Sequence, residues 1–123
     1  MPAPFRYRDA LSGPYEVCTL PKPEELEDLI CMIKPDLFLL DYNMPVLSGF
    51  ELVPIIRRYP EYAETPIIFM TSDGTTDLLS GAINLGASDF IVKPIDETIL
   101  RKKIALHLKD FMLLRRMRLL ATD

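Results

Sequence analysis

The feature that most constrains the fold is a pair of short segments, residues 37–40 and 66–70, that are apolar at every position. A strand of this kind is buried on both faces, as happens in the centre of a parallel sheet with helices on both sides. Two further strands are predicted at 16–20 and 89–92. The segments between the strands have helical periodicity, so the sequence predicts an α/β, doubly wound parallel sheet.

Composition and charge narrow the class of protein. At 123 residues the chain suits a single domain, and its net charge of -4 argues against a nucleic-acid binder. No apolar segment approaches the roughly 20 residues of a membrane span, and the first residues do not resemble a signal peptide. Cys18 and Cys31 lack metal-site spacing and are expected to be reduced thiols in the core. We therefore expect a cytoplasmic protein with no membrane partner.

Polar residues follow three of the predicted strands. Asp41 comes directly after the first apolar segment, Thr71 and Ser72 follow the second, and Lys93 follows the 89–92 strand. The carboxyl ends of parallel strands meet at one edge of a sheet, where open α/β folds bind their ligands. A carboxylate that attacks phosphorus, with a hydroxyl and an ammonium to hold the phosphoryl oxygens, suits phosphoryl transfer.

The residues around these positions closely resemble the receiver domains of bacterial response regulators. Four segments carry the resemblance in the family's order and spacing: 35–45 with 49–51, 65–72, 86–90 and 92–94. It covers about residues 15–110, which we treat as the receiver-like domain. The resemblance implies a flavodoxin-like sheet with strand order 2-1-3-4-5, in a two-component signalling protein that is not itself an enzyme.

The resemblance also implies roles for individual residues. Asp41 would be the phosphoacceptor, supplied by a histidine kinase or a phosphotransfer protein. Thr71, Ser72 and Lys93 would bind the phosphoryl group. Thr71 would also serve as the switch hydroxyl and Phe90 as the switch aromatic. Asp41 and the backbone carbonyl of Asn43 would hold Mg²⁺. We further expect Lys93 to contact Asp41 directly and the Lys93–Pro94 bond to be cis.

The sequence departs from the family at its beginning. Family members start with a strand that closes in an acidic pair, which holds Mg²⁺, and counting back from Asp41 runs off this chain. Residues 1–14 are interpreted as the remnant of the first helix. We therefore expect about four strands with the first one missing, weak or absent Mg²⁺ binding, and slow or absent phosphorylation of Asp41. The gap in the sheet would be closed by a shifted 16–20 strand or by a second molecule.

The last helix is predicted to run without interruption over about 96–120. At 1.5 Å per residue it would be about 35 Å long, more than this domain needs. Its second half carries apolar residues at helical spacing and is interpreted as a dimerisation element. A homodimer is therefore expected.

Three functions remain open at this point. The first is a receiver-like module with impaired phosphorylation that acts through protein contacts. The second is a phosphorylatable receiver that is completed by strand exchange in a dimer. The third is a small phosphatase or phosphotransferase with an aspartyl-phosphate intermediate, for which Asp73 and Asp77 are the nearby candidates for a second acid.

Overall fold

A computed structural model of the chain describes residues 11, 13, 15–20, 22–42, 49–72, 80–81, 83–84, 86–108 and 118–122. Five strands and three helices lie in these ranges: β1 (Glu16–Leu20), α1 (Leu26–Ile33), β2 (Leu37–Asp41), α2 (Gly49–Arg57), β3 (Ile67–Thr71), β4 (Asp89–Val92), α3 (Glu97–Leu108) and β5 (Arg118–Thr122). Short 3-10 turns at Pro23–Glu25 and Pro60–Tyr62 precede α1 and follow α2. Within the described ranges, no helix has the length and apolar character needed to cross a membrane.

The five strands form one parallel sheet in the order β1-β5-β2-β3-β4. The doubly wound parallel fold predicted from the sequence is confirmed, but the expected four-stranded sheet with a gap is wrong. The C-terminal strand β5 lies between β1 and β2, in the position that the first strand takes in the family order. Neither a shifted β1 nor a second molecule is needed to pair the central strand.

The helix predicted over 96–120 is right in its first half and wrong at its end. Helix α3 ends at Leu108, residues 109–117 lie outside the described part of the chain, and Arg118–Thr122 is a strand. The tertiary environment outweighs local helix preference here, because β1 and β2 both offer unpaired backbone groups to a central strand. Leu119 and Leu120 are fully buried in that position. Most of the predicted dimerisation element, the second half of that helix, lies outside the described residues.

Arg118 fixes the start of β5. Its backbone N–H donates to the Asp36 carboxylate at 2.7 Å, and its backbone carbonyl accepts from the Asp36 N–H at 2.7 Å. The Arg118 guanidinium also donates to the Ile33 carbonyl at 3.1 Å. These bonds tie β5 to the turn between α1 and β2 and set the register in which Phe38 lies opposite Leu120.

Alternate residues of the sheet face two apolar clusters. Helices α1 and α2 cover one face, where the cluster contains Leu26, Ile30, Phe38, Leu40, Leu52, Ile56, Phe69 and Leu120. Helix α3 covers the other, where the cluster contains Leu11, Leu37, Leu39, Ile68, Leu100, Ile104 and Leu119. Leu11 is helical and buried there, and most of the predicted helix remnant at 1–14 lies outside the described residues. The expectation for the cysteines is only partly met, since Cys31 is exposed.

Two polar contacts set the position of β4. At the end of α2, the Arg57 guanidinium donates to the Gly86 carbonyl at 2.7 Å, and burial lowers the pKa of Arg57. On the other side, Asp89 accepts from Lys103 of α3 at 2.9 Å and lies 2.9 Å from His107 Nε2. Burial acts to raise the pKa of Asp89, but the hydrogen bonds from Lys103, His107 and the Phe90 N–H outweigh it and lower that pKa.

The position of β5 gives a stability prediction. Leu120→Ala removes a fully buried side chain from the sheet and is expected to lower the unfolding free energy by about 2–5 kcal/mol. Met32→Ala is the matched control, because Met32 is 79% exposed on α1, and it should change that free energy by less than about 0.5 kcal/mol. Urea unfolding followed by circular dichroism measures both. Equal, small effects would mean that residues 118–122 are not a buried strand.

The Asp89 cluster gives a pH prediction. A carboxylate whose folded pKa lies below its ordinary value of 3.8 adds stability above that pH and loses it as the pH falls through the folded pKa. Asp89→Asn should therefore destabilise the protein near pH 7, and its difference from the wild type should shrink below about pH 4. Thermal unfolding across this range tests the sign, with the exposed Glu64→Gln as control. A difference that grows at low pH would contradict it.

Candidate functional site

The predicted site residues lie at the carboxyl ends of three adjacent strands. Asp41 ends β2, Thr71 ends β3, and Lys93 follows β4 directly. Strands β2, β3 and β4 are parallel neighbours, so their carboxyl ends share one edge of the sheet. The backbone N–H of Lys93 donates to the Thr71 carbonyl at 2.7 Å, which continues the β3–β4 pairing past the end of the strand and fixes where Lys93 begins.

Asp41 and Lys93 form an ion pair at this edge. Lys93 Nζ lies 2.8 Å from Asp41 Oδ2, and the two side chains are 29% and 15% exposed, respectively. The direct contact predicted from the sequence is confirmed, as is the cis bond between Lys93 and Pro94. Partial burial makes this pair stronger than one on the open surface, because water screens it less. The ammonium therefore sits where it can neutralise charge that is added to the carboxylate.

The two hydroxyl residues differ in their surroundings. Thr71 is buried, with 2% of its surface exposed, whereas Ser72 just beyond it is exposed. Thr71 belongs to a strand that is buried along its whole length, so its position relative to Asp41 is set by the sheet. Ser72 follows the end of that strand and lies in the turn beyond it.

Phe90 is the second residue of β4 and is partly exposed. Its ring packs against the apolar cluster beneath α1 and α2. Lys103 Nζ, reaching over from α3, lies 5.5 Å from the centroid of the ring. Sequence reasoning missed this contact, since nothing in the spacing of residues 90 and 103 connects a strand residue with a helix lysine.

The residues for a metal ion are only partly within the described structure. The described ranges contain no group of three or more His, Cys, Asp or Glu side chains that could hold one. Asn43 lies outside those ranges, which leaves Asp41 as the predicted ligand that is described. Mg²⁺ typically takes one or two carboxylates together with waters and phosphate oxygens, so Asp41 fits the ion as one part of a site.

An acidic residue follows strand β5 in the sequence. Strand β5 is parallel to β2, so its carboxyl end points to the same edge as Asp41. The residue that follows β5 in the sequence is Asp123, whose placement lies outside the described residues.

The described geometry suits acceptance of a phosphoryl group. A carboxylate oxygen can attack phosphorus, and an ammonium held 2.8 Å from that carboxyl group can bind an oxygen of the transferred group. A hydroxyl on the neighbouring strand can donate to another of these oxygens. Each of these groups is held by a buried strand or by its direct continuation, which keeps them in place before any ligand arrives.

Solved structures share the fold. The chemotaxis protein CheY4 of Vibrio cholerae superposes with a TM-score of 0.76 at 29% sequence identity, covering 81% of this chain and 84% of that one. A response regulator from Chloroflexus aurantiacus gives a TM-score of 0.77 at 26% identity, covering 83% and 84%. Both share the fold over most of their length.

Proteins related in sequence point to the same family as these solved structures. The phosphate regulon transcriptional regulatory protein PhoB of Rhizobium meliloti is 33% identical over 105 residues, which are 85% of this chain and 46% of that protein. Protein RcaC of Microchaete diplosiphon is 31% identical over 97 residues, 77% of this chain and 15% of that one. The chain thus spans less than half the length of these relatives. The profile of the response regulator receiver domain matches residues 8–105, and this chain belongs to that family.

Proposed function

We propose that this chain is a two-component receiver module in which Asp41 accepts a phosphoryl group from the phosphohistidine of a histidine kinase or a phosphotransfer protein. The observation that carries the proposal is the ion pair between Asp41 and Lys93, 2.8 Å long, at the carboxyl end of the sheet. In the transfer, the phosphorus–nitrogen bond to the donor imidazole breaks and an oxygen–phosphorus bond to Asp41 forms. The donor imidazole keeps the electron pair of the broken bond.

The surrounding residues take the roles that the family resemblance implies. Lys93 balances the negative charge that phosphorylation adds to Asp41. Thr71 and Ser72 donate hydroxyl hydrogen bonds to the phosphoryl oxygens, and Thr71 with Phe90 passes the change to the surface. This is a signalling role exercised through protein contacts, and it requires no reaction beyond the transfer to Asp41 and its reversal by hydrolysis.

Phosphorylation of Asp41 is expected to be slow and to depend on Mg²⁺, which the site is expected to bind weakly. Bound at this edge, Mg²⁺ would neutralise phosphoryl oxygens and would be held by Asp41 and the Asn43 carbonyl. We add Asp123 to this set, because it follows β5, the strand that takes the position of the family's first strand. One such acid in place of an adjacent pair supports weak metal binding and slow transfer rather than none.

The two alternatives have less support. Completion by strand exchange loses its main argument, because β5 of the same chain already pairs with both β1 and β2. A hydrolase would need a second acid near Asp41, and the candidates Asp73 and Asp77 lie outside the described residues. The homodimer and the cytoplasmic location stay predictions. The dimer now rests on exposed apolar side chains of α3, such as Ile99 and Leu106, and not on an overlong helix.

Labelling with acetyl phosphate tests the proposed function. The wild type is expected to gain one phosphoryl group slowly, only when Mg²⁺ is present at millimolar levels or above, and Asp41→Asn should gain none. Intact-mass spectrometry over time measures the adduct, and the exposed Asp28→Asn serves as control. Neither adduct nor phosphate release at any Mg²⁺ concentration would refute phosphoacceptance, and rapid phosphate release without an accumulating adduct would indicate a hydrolase.

The role of Asp123 has a separate test. Removal of a metal-binding carboxylate should raise the Mg²⁺ concentration for half-maximal labelling at least about tenfold, on the scale seen when groups around metal sites are lost. Asp123→Asn is compared with the wild type and with Asp28→Asn. A midpoint equal in all three proteins would remove Asp123 from the site while leaving the role of Asp41 intact.

A further inference from the structure

Lys103 of α3 is held in a fixed position beside β4. Its ammonium lies 2.9 Å from Asp89 Oδ1, and the side chains of both residues are largely buried. The same Asp89 oxygen accepts the backbone N–H of Phe90 at 2.8 Å. The other oxygen, Oδ2, lies 2.9 Å from His107 Nε2, one turn further along α3. With both of its oxygens engaged, Asp89 anchors Lys103 at the start of the strand.

That anchor places a positive charge against an aromatic ring. Lys103 Nζ is 5.5 Å from the centroid of Phe90, within the range over which a cation is attracted to the face of an aromatic ring. Phe90 is partly buried, so water does not fully screen the contact. Lys102, the preceding residue on the helix, is exposed and serves as a natural comparison.

We propose that Lys103, anchored by Asp89, is a positioning residue that holds the Phe90 ring in the orientation described here and so opposes activation of the receiver. The inference rests on the proposed function, in which Phe90 moves when Asp41 is phosphorylated. For the ring to leave this orientation, the contact with Lys103 must break. Coupling between two sites is reciprocal. If a phosphoryl group at Asp41 weakens the Lys103–Phe90 contact by some factor, the contact weakens phosphoryl binding at Asp41 by the same factor.

The expected size of the effect follows from the contact. A cation–aromatic attraction at a partly exposed site corresponds to about a two- to fivefold change in an equilibrium. This makes Lys103 a modest bias on the switch and not an on–off lock. Lys103 lies on α3, whereas Asp41 lies at the carboxyl end of β2. A substitution of Lys103 that only destabilised the fold would therefore not be expected to tighten the binding of a phosphoryl analogue at Asp41.

The test uses a fluorescent reporter of the ring. The chain contains no tryptophan, so Phe90→Trp introduces a single one. In this background Lys103→Met keeps the length of the side chain and removes its charge, Lys103→Arg restores a cation, and Lys102→Met is the matched control. Without any phosphodonor, Lys103→Met should shift the emission maximum and change acrylamide quenching, whereas Lys103→Arg and Lys102→Met should match the parent. Circular dichroism establishes that each variant is folded.

A second readout measures the switch in proteins that retain Phe90. The beryllofluoride concentration for half-maximal binding should fall about two- to fivefold in Lys103→Met and be unchanged in Lys102→Met. Identical emission and identical midpoints in folded Lys103→Met and Lys102→Met would overturn the inference. If no variant binds beryllofluoride or becomes phosphorylated, the proposed function fails, and the emission comparison still decides whether Lys103 positions the ring.

Discussion

A central strand of a parallel sheet must pair its backbone on both sides, and in this chain residues 118–122 meet that requirement for β1 and β2. Unpaired N–H and C=O groups in a buried sheet cost as much as lost hydrogen bonds, so the sheet cannot remain open there. Closing it fixes the lateral position of β2, and β2 carries Asp41 at its end. The geometry of the site therefore depends on a strand that contributes none of its described side chains to the Asp41–Lys93 pair.

Strand β4 connects the chemical edge of the sheet with the helix surface. It is only four residues long, with Lys93 directly after one end and Asp89 at the other. Both ends are held by ion pairs, through Asp41 at the first and through Lys103 at the second. A change in charge at Asp41 acts on the same short, rigid element that Lys103 holds from α3. Proximity along one strand gives a physical route for coupling without requiring movement of the whole domain.

Strands β2 and β3 could be predicted from the sequence, because runs of apolar residues buried on both faces have no other good explanation in a chain of this size. The Asp41–Lys93 contact could be predicted only from the resemblance to the receiver family. Arg118–Thr122 could not, because local pattern alone does not separate a short strand from the end of a helix. Leu119 and Leu120 suit either structure. The deciding fact is that β1 and β2 would each lack a backbone partner on one side without β5. The contact between Lys103 and Phe90 could likewise not be predicted from the sequence, since it depends on how α3 crosses the sheet.

The pairing of Glu16 with Arg118 joins residues 102 positions apart, between the edge strand β1 and its neighbour β5. During synthesis, β1, β2 and β3 leave the ribosome long before the strand that must separate the first two of them. Until then the nascent chain carries an apolar β2 with one open edge, a state that invites pairing with other chains. Completion of the fold is thus postponed until residues 118–122 have emerged, and such long-range pairing is intrinsically slow. We expect the emerging chain to depend on chaperones over that interval more than a receiver whose central strand is made first.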